Sequence, residues 1–366
     1  MATVRFIMVG GFLGAGKTTA LLWLARHYAQ QGRRVAFIAN DQADNLVDTA
    51  LFRTVSTARE VAGGCFCCRL QDLLALAERL TTRERPEIIF AEPVGSCTDL
   101  VATVVQPLKR LYQEQYRVAP YVVLVDPHRA RRILAGERLG GFSPKVAYIF
   151  HKQLEEADAI AVNKCDLLTA AQCQELDSLI RRQYPDKPVY FVSARSGENM
   201  SELVRFQEQE GRFGTHIAEV DYDIYAEGEA ELGWLNAAAW LRSPRAFIPD
   251  EVLTALTERV QAQLETLGGE IAHLKGLIHS PSGLSVCQLV QSRGQAELSR
   301  SCQDAVNEAQ LVLNARVASD PEILWEAVRQ AVESVLAEQQ ITADWQTVQR
   351  FRPARPVPAM RFANSV

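Results

Sequence analysis

The chain has 366 residues, about two domains at ordinary domain size, of which 48% are hydrophobic and 23% charged. That composition excludes a mainly disordered chain, a collagen and a coiled-coil rod. Thirty-nine basic against 44 acidic side chains leave −5, so charge gives no case for a nucleic-acid partner, and no apolar run reaches the ~18 residues of a membrane span.

Along the first 200 residues, short Val- and Ile-rich runs alternate with amphipathic stretches. The runs are Val4–Val9, Val35–Ala39, Ile88–Ala91, Tyr121–Val125, Ala159–Val162 and Val189–Val192. They lack in/out alternation, as strands buried on both faces of a parallel sheet do. Arg69–Leu80 carries Leu70, Leu73, Leu74, Ala77 and Leu80 at helical spacing. Strand–helix alternation predicts an α/β layer fold, a mostly parallel sheet flanked by helices, over residues 1–212.

Beyond a boundary near Gly211–Gly214 the texture becomes α+β, and a smaller domain is expected over residues 215–345. Asp221–Ala226, Leu235–Leu241 and Leu311–Val317 read as strands. Pro249–Leu267 and Glu322–Glu338 read as helices, and Ile271–Ile278 with Leu284–Val290 as a hairpin around Ser280-Pro281-Ser282-Gly283. Residues 350–366, with three prolines, four arginines and no acid, read as a frayed basic tail.

Gly11-Phe12-Leu13-Gly14-Ala15-Gly16-Lys17-Thr18 matches the phosphate-loop pattern G-x-x-x-x-G-K-[ST], between a predicted strand and a predicted helix. There Gly11, Gly14, Ala15 and Gly16 would turn backbone N–H groups onto phosphate oxygens. Lys17 would reach the outer phosphates, Thr18 would hold Mg²⁺, and Thr19 would touch the α-phosphate. Asn163-Lys164-Cys165-Asp166 ends a predicted strand with the pattern N-K-x-D. A carboxylate at Asp166 accepts two hydrogen bonds from guanine, a donor pair that adenine lacks, so GTP is the expected nucleotide. Lys164 would pack its stem on the base, Asn163 would bond the base or brace the phosphate loop, and Ser193-Ala194 would close over the base. Glu92 ends the Ile88–Ala91 run and is the second candidate for Mg²⁺, with Gly95 N–H near the terminal phosphate. Asp41 is the candidate to orient the attacking water; Asp126 reads either as a site residue or as a strand-end cap.

Three of the eight cysteines, Cys65, Cys67 and Cys68, fall within four positions after Gly63-Gly64 and before a predicted helix. A helix N-terminus favours thiolate at Cys67 and Cys68, and sulfur ligands select Zn²⁺ or other thiophilic ions over Mg²⁺. Asp41, Asp44 and Asp48 are candidate outer ligands. Buried cysteines packing a turn and a redox pair are the competing readings. The short apolar N-terminal run does not make an export signal, so a cytoplasmic location with reduced thiols is expected. Cys97 and the other single cysteines read as packing residues, and the histidines, without ligand spacing, as surface or core.

Together these residues resemble the CobW-type metal-handling GTPases, relatives of UreG and HypB among the SIMIBI P-loop proteins. Gly10–Thr19 is similar to that family's phosphate loop, Gly64-Cys65-Phe66-Cys67-Cys68 to its G-C-x-C-C signature, Glu92–Gly95 to its E-x-x-G motif and Asn163–Asp166 to its guanine motif. The resemblance implies a P-loop NTPase fold with a CobW-type C-terminal domain. It implies a slow GTPase using GTP and Mg²⁺, acting as a metallochaperone or metal insertase that binds Zn²⁺ or Co²⁺ at the cysteines. The partner implied is a client metalloenzyme or cofactor-assembly protein, with a homodimer by analogy. Asn40-Asp41-Gln42-Ala43-Asp44 stands where the family carries N-E-x-G-E, and the family's His-rich stretch is missing, so metal storage is not expected. The alternatives are a GTPase chaperone gating corrinoid or other cofactor loading, a P-loop small-molecule kinase, and a GTP-sensing adaptor without turnover.

Overall fold

Two sheets, one parallel and one antiparallel, organise the chain. The computed structural model describes residues 3–40, 47–61, 63–137, 143–292 and 294–366. The candidates Asp41 and Asp44 lie outside the described residues.

The first sheet contains β1 (Val4–Gly11), β2 (Val35–Asn40), β3 (Thr57–Val61), β4 (Ile88–Glu92), β5 (Tyr116–Val118), β6 (Val122–Val125), β7 (Ala159–Val162) and β8 (Val189–Phe191). Its order is β3-β2-β4-β1-β6-β7-β8, with β5 also on β1, and every pairing is parallel. The intervening helices are α1 (Lys17–Gln30), α2 (Val47–Arg53), α3 (Leu70–Arg83), α4 (Gln106–Leu111), α5 (Pro127–Leu134), α6 (Pro144–Glu156), α7 (Ala170–Gln183) and α8 (Met200–Gln207). Both faces of the sheet are buried: Phe6, Ile38, Ile89 and Ile160 pack with α3 and α6, while Ile7, Phe37, Phe90 and Ala161 pack with α1 and α8. Uninterrupted apolar runs are what two covered faces require. The chain winds outward both ways from β1, and such a switch point opens a crevice at the carboxyl ends of the strands.

The second unit begins with α9 (Tyr222–Ala230), followed by β9 (Gly233–Phe247), α10 (Pro249–Thr266), β10 (Glu270–Ser280), β11 (Gly283–Leu289), β12 (Glu297–Arg300), β13 (Val306–Ala318), α11 (Pro321–Glu338) and β14 (Thr342–Phe351). Its strands form an antiparallel sheet in the order β12-β11-β10-β13-β9-β14. Alternation sorts the two faces. Leu235, Leu274, Ile278, Leu311, Leu313 and Val317 pack under α10 and α11. Ala238, Leu277, Val286 and Val312 turn the other way and join the core of the first unit.

Two expectations are corrected here. Asp221–Ala226 is not a strand, because the Asp221 carboxylate accepts the N–H groups of Asp223 and Ile224 and caps α9. Residues 352–366 do not fray: Ala359 N–H donates to Cys67 O (2.9 Å) and Phe362 N–H to Ala102 O (3.0 Å). The Arg361 guanidinium pairs with the buried Asp99 carboxylate at 2.7 Å, completing a strap that crosses the cysteine turn. Among the described residues no helix is long and apolar enough to cross a membrane.

Candidate functional site

A cavity of about 370 Å³ opens at the carboxyl ends of β1, β4 and β7 and is roofed by the second sheet. Its floor is the turn between β1 and α1. Gly16 adopts φ +90°, and a Cβ there would stand 2.2 Å from Asn163 Nδ2. Only glycine combines that left-handed backbone with so close an approach. Gly14, Gly16, Lys17, Thr18 and Thr19 line the cavity. Gly11 lies beneath it, its carbonyl accepting from Lys17 Nζ at 2.8 Å. Ala15 O likewise accepts from Asn163 Nδ2 at 2.8 Å. Burial holds the Lys17 ammonium below its usual range.

Beside Lys17 stand two carboxylates. Thr18 Oγ1 lies 2.9 Å from both Asp48 Oδ1 and Glu92 Oε1. A hydroxyl has one proton to give, so the two carboxyl groups compete for it. Burial, reinforced by Asp48, pushes the Glu92 carboxyl up to about 7. Burial also pushes Asp48 up, but Lys275, Thr18 and Lys17 outweigh it and hold Asp48 below the usual carboxylate range. Asp48, the carboxylate held lower, is therefore the stronger acceptor for the Thr18 hydroxyl. The remaining oxygen, Glu92 Oε2, is buried without a partner. Asp48 thus belongs to the phosphate-loop cluster and not to the cysteines.

At the other end the cavity wall is Asn163, Lys164, Asp166, Leu167, Ala194 and Arg195. Asn163 ties three segments together, donating to Ala15 O and accepting Ala194 N–H through Oδ1 at 2.9 Å. Lys164 donates to Gly14 O (2.9 Å) and to Asp126 Oδ2 (2.8 Å). Asp126 also caps α5 by accepting Arg129 N–H at 3.0 Å, so the strand-end-cap reading holds together with a role in placing Lys164. Asp166 is exposed at the rim. Ser193 is buried behind the wall, its Oγ accepting Ser196 N–H at 3.2 Å.

The roof went unread in the sequence. Lys275 Nζ, from β10, lies 2.5 Å from Asp48 Oδ1 and 3.3 Å from Thr18 Oγ1. Two residues earlier on the same face, His273 is buried and neither ring nitrogen has a partner. Its burial, beside Lys275, Arg316, Lys17 and Arg129, drives it well below the usual histidine range, so the ring is neutral. The Arg316 guanidinium stacks 4.0 Å over the Trp234 ring on the neighbouring strands. Asn314 accepts Val47 N–H at 3.2 Å and so holds the start of α2, next to Asp48. Arg129 pins roof to floor, donating to Leu13 O, Ala272 O and Val290 O. Two-residue alternation puts His273 and Lys275 on one face, but nothing local says what that face covers.

The cysteine turn lies beyond Asn40, the last residue of β2. The sulfurs of Cys65, Cys67 and Cys68 all lie within 4.8 Å of one another. Individual separations are 2.6 Å (65–67), 3.2 Å (65–68) and 3.7 Å (67–68). Tetrahedral Zn–S bonds of about 2.3 Å put sulfurs roughly 3.8 Å apart. The Cys67–Cys68 pair already has that spacing, and Cys65 would draw back by ~1 Å. Cys65, in contact with the thiols of Cys67, Cys68 and Cys97, is the one held far below its usual range. The same contacts with Cys65 push Cys67 well above the usual thiol range and Cys68 up to about 11. Val357 N–H, from the C-terminal strap, donates to Cys68 Sγ at 3.3 Å.

The family model described as CobW/HypB/UreG, nucleotide-binding domain, matches residues 5–191. The chain is 28% identical over 200 residues to the zinc chaperone YjiA of Escherichia coli, covering 53% of this chain and 58% of the relative. It is 27% identical over 221 residues to the zinc chaperone CobW of a Sinorhizobium species, covering 52% and 59%. With the zinc chaperone YeiR of Escherichia coli the identity is 27% over 298 residues, covering 76% and 84%. The matches to YjiA and CobW span less than two thirds of those relatives' length. With a phosphate loop, a guanine-type motif and a three-cysteine turn on one parallel sheet, the chain belongs to the CobW/HypB/UreG family.

Proposed function

We propose that this protein is a GTP-binding and GTP-hydrolysing metallochaperone in which the nucleotide cavity and the cysteine turn act as one device. The observation that carries this is Asn40. It lines the cavity, and its carboxamide donates to Val61 O (2.9 Å) and Gly64 O (2.8 Å) and accepts Phe66 N–H (2.8 Å). A change at the cavity wall is therefore a change at the backbone of the cysteine turn.

The residues fit a magnesium–nucleotide. Thr18, Asp48 and Glu92 offer oxygen ligands of the kind Mg²⁺ takes, and Glu92 Oε2 is an acceptor awaiting a partner. Bound there, the ion would neutralise phosphate charge. Lys17 would exchange Gly11 O for phosphate oxygens. Lys164 would pack against the base while held by Asp126, and Asp166 at the rim would accept from the guanine edge. Asp41, next in sequence to Asn40, is proposed to orient water.

The cargo reading rests on chemistry. Three sulfurs within ligand reach suit Zn²⁺ or Co²⁺ and leave a fourth position for a client's ligand. The relatives described as zinc chaperones support zinc. The proposed partner is a metalloenzyme or cofactor-assembly protein that receives the ion, and slow turnover suits such a timing role. The test is a Zn²⁺ and Co²⁺ competition titration with a non-hydrolysable GTP analogue or GDP bound. Coupling predicts different affinities in the two states; equal affinities would remove the coupling. A Cys67→Ala protein that binds metal like the parent would remove the thiol site.

A further inference from the structure

The second sheet places its own charges inside the nucleotide cavity. Lys275 Nζ contacts Asp48 Oδ1 and Thr18 Oγ1, two of the three groups that would hold magnesium. An ammonium here neutralises the carboxylates as a divalent ion would, but it is tethered to β10. An independent observation points to a ligand on the same face. His273 is more than nine-tenths buried, lines the cavity and leaves both ring nitrogens without partners, and Trp234 Nε1 is likewise unpartnered. Buried donors left unpaired are costly unless a ligand completes them. Water-accessible space lies between them and the phosphate loop, and the groups facing it from both sides include Lys17, Lys275 and Arg316. Such a cationic, donor-rich roof suits an anion of high charge density.

Given a guanine nucleotide in this cavity, the reading on which this step rests, we propose that β10 supplies the half of the site that distinguishes triphosphate from diphosphate. Without magnesium, Lys275 holds Asp48 and caps the cluster. When magnesium takes the carboxylates, Lys275 is displaced from them, and the terminal phosphate becomes its counter-charge, with His273 as a neutral donor beside it. The third phosphate then draws the second sheet onto the phosphate loop, and its loss relaxes that hold. Asn314, two residues from Arg316 on β13, passes the same displacement to the start of α2 through Val47 N–H.

The experiment measures equilibrium affinity, not turnover. Full-length wild type, Lys275→Met and Lys275→Gln are titrated with fluorescent GDP and with a non-hydrolysable GTP analogue, in saturating Mg²⁺ and in EDTA. Removing the ammonium should lower the analogue-to-GDP affinity ratio in Mg²⁺ by about tenfold, the worth of one charge-assisted phosphate contact. Mg²⁺·GDP should bind no more weakly, since a competing cation has gone. Lys275→Arg should keep most of the ratio. A wild-type ratio in the folded Lys275→Gln protein would overturn the proposal while leaving the nucleotide site standing. A wild-type protein that binds neither nucleotide would overturn the reading beneath it as well.

Discussion

The carboxamide of Asn40 accepts the backbone N–H of Phe66 at 2.8 Å, joining the end of β2 to the middle of the cysteine turn. The same side chain satisfies Val61 O and Gly64 O. Asn40→Ala therefore leaves several buried backbone groups without partners, at about 1–3 kcal/mol each before relaxation. The expected outcome is a chemical-denaturation midpoint clearly below wild type, together with Zn²⁺ affinity that no longer depends on the bound nucleotide. Retained nucleotide dependence in that variant would move the coupling elsewhere.

Gly16→Ala addresses the floor of the cavity. At φ +90° an alanine costs roughly 1–2 kcal/mol, and its Cβ collides with Asn163 Nδ2. Asn163 would have to release Ala15 O, and with it the brace between phosphate loop and base wall. Nucleotide affinity should fall below detection in a fluorescence titration while the far-ultraviolet circular dichroism stays native.

Glu156 sets a pH dependence of stability away from the cavity. Its carboxylate accepts Val101 N–H at 2.9 Å and lies 3.2 Å from Thr98 Oγ1, and burial pushes it up to about 8. Between pH 4.5 and 8 the unfolded chain ionises this group and the folded protein does not. Its contribution is thus complete below the unfolded value and is lost as pH rises through the folded one. The expected slope is on the order of 1 kcal/mol per pH unit in that window. Glu156→Gln should remove that slope and raise the urea midpoint at pH 8 above wild type.

The C-terminal strap controls access to the sulfurs. Arg361→Ala leaves the buried Asp99 with Tyr222 as its remaining side-chain partner, costing about 2–3 kcal/mol once partial exposure of the arginine is discounted. The strap's contacts with Cys67 O and Cys68 Sγ should loosen with it. Alkylation followed by mass spectrometry should then show Cys68 labelled faster than in wild type, with the core fold retained. Unchanged labelling would mean the strap's remaining hydrogen bonds and apolar contacts hold it without the Arg361–Asp99 pair.

Legibility followed locality. The phosphate loop, Asn163–Asp166 and the cysteine turn are each written within eight residues; residues of the first two line one cavity, and the three sulfurs lie within 4.8 Å of one another. Strands buried on both faces were readable for the same reason. Thr57–Val61 escaped notice because Arg59 and Glu60 interrupt it on an edge strand half open to water, and β14 is half exposed along its length. Asp221 was read through the apolar residues after it, when its own carboxylate decides the local structure by capping. Lys275 was beyond reach, since 257 residues separate it from Thr18 and only the docking of two sheets brings them together. The contacts among the three sulfurs were equally hidden, because they follow from how the turn folds and not from its spacing.

Strand β9 ends at Phe247, yet its two neighbours begin at Val306 and Thr342. On a chain emerging from the ribosome, β9 has nothing to pair with until β13 appears, and β10 joins it only through β13. The parallel half can pair all its strands earlier, with Asp48 and Glu92 awaiting their lysine. A nascent protein stalled before Val306 would therefore present the phosphate loop open to solvent. Free nucleotide could enter it before the antiparallel half closes above, making early ligand capture a feature of its biogenesis.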